Sequence, residues 1–250
     1  MADDSSGITR RTALGLLGAA ASLPLVATGG ATMAEVSGQA ERPRSPRGEH
    51  APRPLPFDPK RLAGLSEKLL VSHHANNYTG AVKRLNAIEA EISALPRDAA
   101  PFRMGSLKRE ALIAANSMRL HELYFANLGG KGVAPGPFAA LAQAQFGSLA
   151  AWEHDFRLTG LSLAGGSGWV IATHDAEHGA LHNVWAWDHM HGLAGGVPLL
   201  VMDMYEHSYH MDYGADAKGY VDAFFANLRS DELDRRLGAA TARHGGEGKS

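Results

Sequence analysis

Apolar residues recur at three- and four-residue steps from about Leu62 to Leu95, with Leu62, Leu65, Leu69, Ala81, Leu85 and Ile88 along one stripe. This period predicts a helix that Pro96 closes. "SLKREALIAANSMRLHELYFANLGG" repeats the pattern and predicts a second helix, stopped by Gly129 and Gly130. "GPFAALAQAQFGSLAAWEHDFRLTGL" adds one or two shorter helices. After Gly168 the period shortens. "GSGWVIATHD" and "GALHNVWAWD" flank the turn "DAEHG" and read as a hairpin, with "VPLLVMD" as a third strand and "AKGYVDAFFANL" as a closing helix. Helices first and then a small sheet argue for an α+β fold. An N-terminal helical hairpin (57–132) is expected to precede a C-terminal domain (133–240) with a three-stranded antiparallel sheet flanked by helices.

Both ends lack this periodicity. Residues 35–56 are Pro- and Arg-rich and read as a disordered linker, and 241–250 read as a loose tail. Residues 1–34 pair Arg10 and Arg11 with a weakly apolar run from Ala13 to about Ala27, then small residues Thr32 and Ala34. The paired arginines resemble a twin-arginine export signal, which implies a periplasmic protein. The alternative is a short membrane tether. The run is Gly/Ala-rich, holds Pro24, and is shorter than the roughly 20 apolar residues of a span, so no stable membrane association is expected after cleavage.

Composition narrows the chemistry. The 250 residues carry a net charge of -2, which gives no nucleic-acid footprint. No cysteine is present, so disulfides, thiolate sites and a Cys nucleophile are excluded. Histidine is enriched at 13 copies, which invites a search for a metal site.

"VMDMYEHSYHMDY" places Asp203 and His207 four residues apart at the end of the third strand. Alone, this pair reads more readily as a strand-end Asp capping the next turn than as a metal half-site. Upstream, "LLVSHHANNYTGAVKRLN" carries His73 and His74, and "SMRLHELYFANLGG" carries His121. Together with "FGS" at 146–148 and "GLSLAGGSGW" at 160–169, this series resembles the iron/manganese superoxide dismutase family from about Leu55 to Leu237. The resemblance implies a mononuclear Fe or Mn site held by His73, His121, Asp203 and His207 with a bound solvent molecule. It also implies superoxide as substrate and a homodimer or tetramer. His73 is preferred over His74 because it stands thirteen residues before Asn86, the family's spacing. Trp169 resembles the indole that walls the metal pocket, and His189 is the candidate partner of the bound solvent. Glu206 resembles a carboxylate that reaches across the two-fold interface, with Tyr209, His74 and Tyr124 also expected around the ligands or at that interface. His174, His178, His182 and His191 are expected to be solvated.

The chain departs from the family in the first helix. The family's outer His and gateway Tyr fall on Asn77 and Ala81, four and eight residues after His73. Tyr78 lies one step around the helix and takes that place only where the helix is locally distorted. Slower turnover or altered peroxide sensitivity is therefore expected. Two other readings stay open here: a non-catalytic metal-binding protein of the same fold, and a metal-dependent hydrolase.

Overall fold

A computed structural model describes residues 48–247. The expected export signal and the start of the linker lie outside the described residues. The first helix runs as α1 (Glu67–Ser72), a π-helical segment (His73–Tyr78) and α2 (Thr79–Ala94). Ser66 caps it, its hydroxyl accepting from Leu69 N at 3.0 Å. α3 (Pro101–Ala126) packs against α2 as the second arm of the hairpin, burying Ala114, Met118, His121, Tyr124 and Phe125 at helical spacing.

α4 (Pro137–Phe146) and α5 (Leu149–Leu161) are separated at "FGS". Gly147, at φ +83°, ends one helix in the left-handed region, and Ser148 caps the next by accepting from Ala151 N. β1 (Trp169–Asp175), β2 (Ala180–Ala186) and β3 (Gly196–Asp203) form an antiparallel sheet in the order β2-β1-β3. α6 (His210–Tyr213), α7 (Ala217–Ala226) and α8 (Ser230–Glu247) complete the described chain.

The sheet register is what delivers Asp203 to the helices. Trp169 on β1 pairs directly with Asp203 on β3, and Gly168 accepts from Met204 N at 2.9 Å. Gly168 sits at φ +143°, where a Cβ would run into the Ala186 carbonyl, so the "GSGW" glycine is a backbone requirement. A register shift between Ala172 and Thr173 accommodates Pro198 on the edge strand. Arg236 of α8 ties this edge to α3. It is 6% exposed and donates to the carbonyls of Leu199 and Leu123, to Asn127 and to Glu232. A buried guanidinium is tolerable only when its donors are matched in this way.

Two flanking expectations need correction. Residues 48–56 are not a loose linker. Gly48 N donates to Glu89 at 2.8 Å, His50 N donates to Asn86 at 2.9 Å, and the Asn86 amide donates back to the His50 carbonyl. The segment has no helical or strand period because its hydrogen bonds go to side chains of α2 and the π segment. The expected tail is also helical as far as Glu247.

Candidate metal centre

Four side chains from four elements converge: His73 from the π segment, His121 from α3, Asp203 at the end of β3, and His207 in the 3-10 turn Glu206–Ser208. One donor atom from each lies within 4.8 Å of the other three. His73, His121 and Asp203 are buried at 1%, 1% and 0% exposure, while His207 is partly open. The Nε2 atoms of His73, His207 and His121 lie 3.1, 3.2 and 3.6 Å from Asp203 Oδ2.

The electrostatics keep this group in a metal-binding form. Burial holds the His121 imidazole down to about 3, with the neighbouring His73 adding to the effect, and burial likewise lowers His73. Both rings are therefore neutral near pH 7. Burial alone would raise Asp203, but the charge of His207 and hydrogen bonds from His207 and His73 outweigh it and hold the carboxyl below its usual range. Tyr205 N donates to Asp203 Oδ1 at 2.9 Å, and Tyr220 OH and Ser208 OH donate to its carbonyl.

His121 settles how the site is built. Its Nδ1–H donates to the Ser117 carbonyl at 2.7 Å, which leaves the lone pair on Nε2, and that nitrogen is buried with no hydrogen-bond partner. An orphaned buried imidazole nitrogen beside a carboxylate is costly unless a cation accepts its lone pair. Three imidazoles and one carboxylate in a closed pocket fit a first-row metal such as iron or manganese, and not an ion that demands an all-oxygen shell.

The surrounding residues fall partly where expected. Trp169 is fully buried, packs edge-on to His121 at 5.1 Å, and donates from Nε1 to His189 Nδ1 at 2.9 Å. His189 is thus brought beside the cluster, and burial lowers it, so its ring is neutral with the proton on Nε2. Tyr124 lies 5.1 Å from His73, its hydroxyl within hydrogen-bond distance of the Tyr220 hydroxyl, and Tyr209 stacks on Tyr220 at 5.2 Å. His74 turns away, bonding the Arg53 carbonyl at 2.7 Å, which leaves His73 as the member of the cluster. Glu206 is exposed beside His207, Asn77 is half-buried and Ala81 is buried.

Tyr78 meets the stated condition. The helix is distorted: the Thr79 amide reaches back five residues to the His74 carbonyl, a π-type bond. An extra residue in the turn brings position i+5 onto the face that i+4 holds in an α-helix. Tyr78 therefore joins His73 on one side, 6.4 Å from His121 and 6.2 Å from Phe125. Its hydroxyl does not face the cluster, however. It donates to Glu122 and accepts from Arg53 N.

Three groups were not anticipated. Tyr205 stacks between His189 (4.9 Å) and His207 (5.4 Å), and burial with the Asp203 charge pushes its phenol up to about 12. Its position between two ligand candidates was the available signal. The Ser117 carbonyl is a main-chain group and has no residue signature. Glu122 follows His121 in sequence and carries no motif signal of its own. Among the histidines expected to be solvated, His174 is buried on β1, and His191 accepts from Trp187 Nε1.

The profile of the iron/manganese superoxide dismutases, C-terminal domain, matches residues 134–236. A superoxide dismutase [Fe] of Cupriavidus metallidurans is 52% identical over 189 residues, 75% of this chain and 96% of the relative. A superoxide dismutase [Mn] 1 of Halobacterium salinarum is 31% identical over 195 residues, covering 76% and 96%. A superoxide dismutase [Fe] of Aquifex aeolicus is 30% identical over 196 residues, covering 72% and 87%. With this fold and this His/His/Asp/His cluster, the chain belongs to the iron/manganese superoxide dismutase family. It is an enzyme of the superoxide dismutase class with iron or manganese as cofactor, and the storage and hydrolase readings are not favoured.

Proposed function

We propose that His73, His121, Asp203 and His207 hold one iron or manganese ion per subunit, and that the protein disproportionates superoxide to dioxygen and hydrogen peroxide as an exported homodimer. The observation that carries this reading is the orphaned Nε2 of His121 within a cluster of four donor atoms. When bound, the ion supplies one-electron chemistry by alternating between its trivalent and divalent states. The protein's part is to hold, shield and supply protons. Asp203 is the anionic donor, and the Ser117 carbonyl keeps the His121 lone pair on the correct nitrogen. Trp169, Tyr124 and Phe125 wall the pocket against larger molecules.

His189 offers an Nε2–H beside the cluster because Trp169 occupies its Nδ1. Its role in this reading is to hydrogen-bond the solvent that receives the proton. His189→Ala is expected to keep its metal while losing about 10- to 100-fold in turnover, the range for residues that support metal ligands. Stopped-flow superoxide decay with metal analysis of the same samples checks this. Loss of metal together with activity would reassign His189 to the ligand set.

Glu206 supports the dimer reading, since an exposed carboxylate stands next to the one partly open imidazole of the cluster. Light scattering that returned a monomer mass for the loaded protein would remove it. Arg10 and Arg11 support export. Cell fractionation of the double Arg10→Lys, Arg11→Lys variant, with the protein retained in the cytoplasm, is the expected outcome. No helix among the described residues is long and apolar enough to cross a membrane.

A further inference from the structure

Tyr78 is where three separate stretches of chain meet. Its hydroxyl accepts from Arg53 N at 2.8 Å and donates to Glu122 Oε1 at 3.2 Å. The Arg53 carbonyl in turn accepts from His74 Nε2 at 2.7 Å. The Tyr78 ring is 1% exposed and packs against His74, Phe125 and His121. Glu122 is itself largely buried, its side chain 11% exposed.

The positions of these groups along the chain matter. Glu122 directly follows His121 on α3, and Tyr78 is the last residue of the π segment that opens with His73. A hydroxyl has one proton to give, and this one goes to Glu122. Tyr78 is therefore not a proton donor to the pocket. π turns are rare and persist where surrounding contacts hold them. Here Thr79 Oγ1 bonds the His74 carbonyl at 3.1 Å from inside the helix, and Arg53 with Glu122 grips Tyr78 from outside.

We propose that Tyr78, Glu122 and the main chain of Arg53 form a positioning lock, which holds the π turn and thereby sets His73 against His121. The segment ahead of the first helix is then a working part of the metal centre. This inference rests on reading His73 and His121 as metal ligands. The Arg53 guanidinium is dispensable to it, since that group is 69% exposed and 3.5 Å from Glu122.

The test uses the full chain loaded with iron. It measures metal release to excess EDTA and the ferric visible and EPR spectra, with melting of the metal-free protein as a folding check. Tyr78→Phe keeps the ring and removes the hydroxyl. It is expected to release iron about tenfold faster with an altered ferric spectrum, as for partners that orient metal ligands. Glu122→Leu should match it, Glu122→Gln should stay within about twofold of wild type because the acceptor remains, and Arg53→Ala should be silent. The Tyr78→Phe, Glu122→Leu double variant should be no faster than either single one, because the two residues make one bond. Wild-type release and spectrum in Tyr78→Phe, or additive effects in the double variant, would overturn the lock. Should Tyr78→Phe not fold, the contrast between Glu122→Leu and Glu122→Gln decides: equal release rates overturn the lock. His121→Ala separates the two readings. If it binds iron as tightly as wild type, the ligand assignment falls; if it loses iron while Tyr78→Phe is silent, only the lock falls.

Discussion

His121→Ala is expected to abolish superoxide turnover and to weaken iron or manganese binding by more than about 100-fold, with the fold retained. The lower bound follows from residues that merely support a ligand, whose loss already costs up to about 100-fold. His121 contributes more than support, since its Nε2 is buried, unpaired and aimed at Asp203. The fold should survive because the neighbours that fill this region, Tyr124, Phe125 and Trp169, belong to a continuous core. Metal content by mass spectrometry, titration with the metal and stopped-flow superoxide decay are the measurements. A folded His121→Ala protein that retained stoichiometric metal and wild-type decay would refute the assignment of the centre.

The second large effect is a loss of stability of the metal-free protein in acid. His121 sits at about 3 in the folded chain against an ordinary 6.5, chiefly through burial, and His73 is lowered for the same reason. Between these values the unfolded chain takes up a proton that the folded chain refuses. The stabilisation is therefore complete above about pH 6.5 and is lost as the pH falls toward 3. Each such group contributes a slope of about 1.4 kcal/mol per pH unit. From pH 6.5 to 4, His121 alone removes about 3 kcal/mol, a large part of the stability of an ordinary domain. Asp203, also held below its ordinary value, adds a further loss below about pH 4. Urea unfolding of metal-free protein at pH 7, 5.5 and 4 should show the midpoint falling steadily, and His121→Ala should flatten the trend. A midpoint independent of pH over this range would contradict it.

Much of the centre was legible because its chemistry resides in residue types at fixed spacing. Asp203 and His207 stand at the end of an apolar strand, and the sheet register places Asp203 opposite Trp169. The hairpin around "DAEHG" forms as β1 and β2, and the three-stranded antiparallel sheet has helices on either side in sequence. What escaped was carried by the main chain or by tertiary context. Arg53 bonds through its amide and carbonyl, so a Pro- and Arg-rich stretch read as loose is in fact docked. Ser117 acts through its carbonyl, which no side-chain inventory reveals. His174 is buried because β1 is the central strand, a property of strand order that the hairpin pattern does not contain. The π turn did leave a trace. The apolar stripe of the first helix skips from Leu70 to Ala81, and the buried positions between them, His73 and Tyr78, are five residues apart.

That five-residue step has a bearing on how the gene can drift. Upstream of the π segment the inward stripe is Leu69, Leu70 and His73, and downstream it is Tyr78, Ala81, Leu85 and Ile88. The two stripes are out of phase by one residue, and the mismatch is absorbed where Ala75 and Asn76 face solvent. One codon lost between His74 and Asn77 lets the helix run through in ordinary α geometry with both stripes still inward. One codon lost in α2 rotates everything beyond it out of the core. Only that single turn can lose a residue without rotating the rest of the helix out of the core, and it is the turn that carries His73.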